Sequence, residues 1–66
     1  MERLIKISEE MINEADNIIQ ALAFILDTQN TQGYIPAVAL LNLKKLKAKL
    51  EHALKLTNYI ISGLEK

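Results

Sequence analysis

The residues that could do chemistry are few. His52 is the one histidine in a chain of 66 residues that has no cysteine. An imidazole acts as a general base or a metal ligand only when other groups converge on it. The sequence near His52 offers Lys49 and Glu51, and heptad position c turns it outward, so it reads as a surface histidine. Four acids, Glu9, Glu10, Glu14 and Asp16, crowd one stretch. A di-iron helix pair would need inward-facing glutamates and a Glu-x-x-His motif. That motif is absent, and Glu9 and Glu10 fall at outward positions, so the acids read as a solvated face. The lysines Lys44, Lys45, Lys47 and Lys49 suggest a polyanion. Four such closely spaced lysines wrap around a helix instead of lining one stripe. No arginine or aromatic residue is interleaved with them, and the net charge is zero. Those features argue against nucleic acid as the partner. There is no Gly-rich phosphate loop and no metal-spacing motif. The expectation is a protein that is not an enzyme, with no cofactor and no metal.

Half of the residues are apolar, so the composition is not that of a disordered tail. A chain this short rarely buries enough apolar surface alone, and small chains close that gap with disulfides, metals or association. Without cysteine or a ligand cluster, association remains. The segment Met1 to Ser8 carries Glu2, Arg3 and Lys6 among isolated apolar residues. That is not the pattern of a secretory leader or a membrane span. A cytoplasmic location is expected, with no membrane partner.

The apolar residues recur in heptads. From about Glu2 to Gln29, the a positions are Met1, Ser8, Ala15 and Leu22, and the d positions are Leu4, Met11, Ile18 and Ile25. Position e holds Ile5, Ile12, Ile19 and Leu26. From about Pro36 to Leu64, the a positions are Leu43, Leu50, Thr57 and Leu64, with Ala39, Leu46, Ala53 and Ile60 at d. Position e holds Leu40, Leu54 and Ile61, with Lys47 as the exception. An a/d/e stripe is wider than one coiled-coil seam and predicts a helix that faces more than one neighbour. Phe24 and Tyr59 lie outside the stripe, where they are either local packing or anchors for a partner.

The stretch of residues 30–35, with Gly33 in it and Pro36 after it, reads as a short loop followed by a proline in the first helical turn. The predicted fold is all-α: a single antiparallel two-helix hairpin over residues 1–66, coiled-coil-like, and completed by a partner or by self-association. Its helices are expected at about residues 2–29 and 36–64. Charge is uneven along the chain. Residues up to Asp27 hold six acids and two bases, and residues from Lys44 on hold six lysines and two acids. Opposite charge favours pairing of the two halves.

The run from Lys49 to Lys66 contains Leu50-Glu51-x-Ala53-Leu54, an apolar group around Tyr59-Ile60-Ile61, then Gly63-Leu64 and a charged end. It resembles the C-terminal helix of the small E-type co-chaperones of the needle subunit in bacterial type III secretion, a virulence machinery. Length and layout over the whole chain agree with that family, whereas the recognisable letters cover residues 49–66. The resemblance implies a non-catalytic co-chaperone in the bacterial cytoplasm. Such a protein binds and stabilises a tetratricopeptide-like chaperone, and the two keep the needle subunit monomeric before export. The expected partner-binding residues are Ile5, Ile12, Ile19, Leu26, Leu40, Leu54, Ile61 and Tyr59. The alternative is a homodimeric four-helix-bundle regulatory protein with RNA as a ligand to be tested.

Overall fold

A computed structural model of the chain describes residues 1–65. Lys66, which ends the run carrying the family resemblance, lies outside the described residues. The fold is all-α, as the sequence predicts, with two long helices joined by a short link. Helix α1 spans Glu2–Gln32 and helix α2 spans Ala37–Leu64. The chain divides into two compact units, Met1–Ile35 and a second that begins at Pro36, so each unit holds one helix.

Helix α1 has 31 residues and is about 46 Å long at 1.5 Å per residue. Nothing in its interior interrupts it, because neither Gly nor Pro occurs before Gly33. It begins with the Ile5 N–H donating to the Met1 carbonyl at 3.1 Å. Glu2 in the first turn complements the positive end of the helix dipole. The helix runs three residues past the end expected at Gln29. The polar trio Asn30-Thr31-Gln32 looks like a loop by composition, yet each residue tolerates helical geometry. The Thr31 hydroxyl donates to the Asp27 carbonyl at 2.7 Å, so its polar group is satisfied inside the helix. What stops α1 is Gly33. It adopts φ 80° and ψ 1°, a left-handed conformation open to glycine at little cost. Its N–H donates to the Gln29 carbonyl at 2.7 Å, which closes the last turn.

Helix α2 has 28 residues and is about 42 Å long. Pro36 precedes the first turn instead of lying within it. Its φ of −57° and ψ of 145° are extended, and Ala37 is the first helical residue. The Pro36 carbonyl accepts the Leu40 N–H at 3.1 Å, so proline caps the helix through its acceptor while its missing donor is not needed. At the far end the Glu65 N–H donates to the Ile61 carbonyl at 3.0 Å.

No side chain among the described residues is fully buried. Partial burial is confined to residues 18–46, and the a and d positions outside that stretch, Leu4, Met11, Leu50 and Ile60 among them, are exposed. In α1 it falls on Ile18, Leu22, Ile25 and Thr28. In α2 it falls on Ala39, Leu43 and Leu46, and in the link on Ile35. Apart from Thr28 and Ile35, these are a and d positions, spaced by four and three residues as a helical seam requires.

Candidate interaction surface

The e positions of α1 are Ile5, Ile12, Ile19 and Leu26, and all four are exposed by 56 to 64%. One residue every seven drifts by about 20° per heptad on a straight helix. The four therefore form a gently slanting strip about 32 Å long, from 21 residues at 1.5 Å each. At 100° per residue, e lies about 40° from a on the side away from d, so a, d and e together span an apolar arc of about 100°.

Helix α2 repeats the pattern over the same length. Leu40, Leu54 and Ile61 are exposed by 47, 60 and 45%. Lys47, also exposed, interrupts the row at its second position. Tyr59 at c is exposed by 82% and lies off the e row, about 160° around the helix by the same count. It belongs to the expected site by residue type and exposure but not by position on the row.

Two a positions are polar, and both are satisfied locally. The Ser8 hydroxyl donates to the Ile5 carbonyl at 2.6 Å, and the Thr57 hydroxyl donates to the Ala53 carbonyl at 2.8 Å. A hydroxyl bonded within its own helix adds no unpaired donor when an apolar neighbour covers it. Apart from Lys47, the stripe therefore behaves as apolar, despite its two hydroxyls.

Further apolar residues are exposed at a and d (Leu4, Met11, Leu50, Ile60 and Leu64), at g (Ile7 and Leu56), at c and f (Phe24, Val38 and Leu41) and in the link (Tyr34). The heptad reading sets Phe24 and Leu41 apart but does not single out Tyr34 or Val38. The signal for Val38 was its apolar type at an outward c position, only three residues from Leu41.

The polar residues remain dispersed. Among the described residues, no group of three His, Asp or Glu side chains is placed to hold a metal ion. His52 lines a shallow surface groove with Ala48, Glu51 and Lys55. These residues are consecutive on one face of α2, so the groove is the ordinary furrow between helical turns. No described helix is long and apolar enough to cross a membrane. The chain matches no protein-family model, no curated protein and no solved structure.

Proposed function

We propose that the chain is a non-catalytic co-chaperone of the type III secretion needle class. On this reading the a and d positions serve its own fold. The e rows dock on a tetratricopeptide-like chaperone that keeps the needle subunit monomeric in the bacterial cytoplasm. The observation that carries the reading is the pair of e rows. Seven large aliphatic residues (Ile5, Ile12, Ile19, Leu26, Leu40, Leu54 and Ile61) recur at one heptad position in both helices, and all are exposed, as are Leu4, Met11 and Ile60 at d.

Such a surface is a liability in an isolated protein and an asset in a protein with an obligate partner. Helical-repeat proteins present long concave surfaces suited to an elongated apolar row. Tyr59 adds an aromatic group of the kind that anchors interfaces. The family resemblance at residues 49–66 is what suggests this partner.

The experiment is co-purification of the chain with the helical-repeat chaperone and the needle subunit, using the natural chain beside Ile12→Asp and Leu54→Asp. Loss of the complex in both variants supports the reading. Undiminished binding by both removes the e rows from the interface.

A further inference from the structure

We draw no further inference here: the strongest candidate, the exposed apolar face of α2 with Lys44 at its edge and Lys47 within it, belongs to the surface already described, and nothing in the structure shows what covers it.

Discussion

Replacing Ile12 by aspartate should weaken docking by at least two orders of magnitude while leaving the helix in place. Ile12 is 64% exposed, so a partner that covers the e row buries most of its side chain. Complete burial of an isoleucine is worth about 1.5–3 kcal/mol, and the exposed share scales this to about 1–2 kcal/mol. A carboxylate set against apolar neighbours without a hydrogen-bond partner adds at least about 2 kcal/mol. Together these approach 3 kcal/mol or more, which is over a hundredfold in Kd. The intrinsic helix propensities of isoleucine and aspartate differ by only a few tenths of a kcal/mol, so helicity should survive. Asn17→Asp places the same new charge at an outward c position and should change affinity by less than about 0.5 kcal/mol. Titration calorimetry of each variant against the tetratricopeptide-like chaperone gives the comparison. Equal affinities for the natural chain, Ile12→Asp and Asn17→Asp would refute the assignment of the e row as the docking surface.

Other substitutions probe the elements that carry the row. Gly33→Ala should destabilise the end of α1 by about 1–2 kcal/mol. The cost comes from the left-handed backbone alone, because an added Cβ would meet nothing within 4 Å; thermal unfolding followed by circular dichroism measures it. Gly63 lies inside α2 with open space around its Cβ position, so Gly63→Ala should raise stability by about 0.5–1 kcal/mol in the same assay. Thr57→Val should leave helicity and association within about 0.5 kcal/mol of the natural chain, since the hydroxyl bonds only to the Ala53 carbonyl. A loss of association well beyond that in sedimentation would mean that the Thr57 hydroxyl contacts a partner.

Much of the architecture was legible in the letters because the heptad is regular. The e rows follow from isoleucine or leucine at seven of eight positions, and the half-buried Leu22, Ile25, Leu43 and Leu46 fall on the a and d phase. The sequence marks Gly33 as a permissive position within the loop, and the structure makes it the residue that ends α1, with φ 80°. The end of α1 was misjudged because Asn30, Thr31 and Gln32 are typical of loops in composition. Composition does not reveal that Thr31 satisfies its hydroxyl on the Asp27 carbonyl and lets the helix continue. Pro36 was placed one position too far into α2, because proline suits both the cap and the first turn. Tyr34 and Val38 carry no periodic signal, because periodicity marks residues that repeat and these stand alone. Nothing in the spacing names a partner; on the proposed reading, the run at residues 49–66 alone suggests one.

The central claim is that a specific protein covers the e rows. Its most direct test is affinity purification of the tagged chain from its native host beside the Ile12→Asp/Leu54→Asp variant, with identification of the chains that bind one and not the other. The account expects a helical-repeat chaperone and a needle subunit in stoichiometric amounts with the natural chain, and neither with the variant. Recovery of both forms alone, as folded monomers that melt cooperatively, would contradict it.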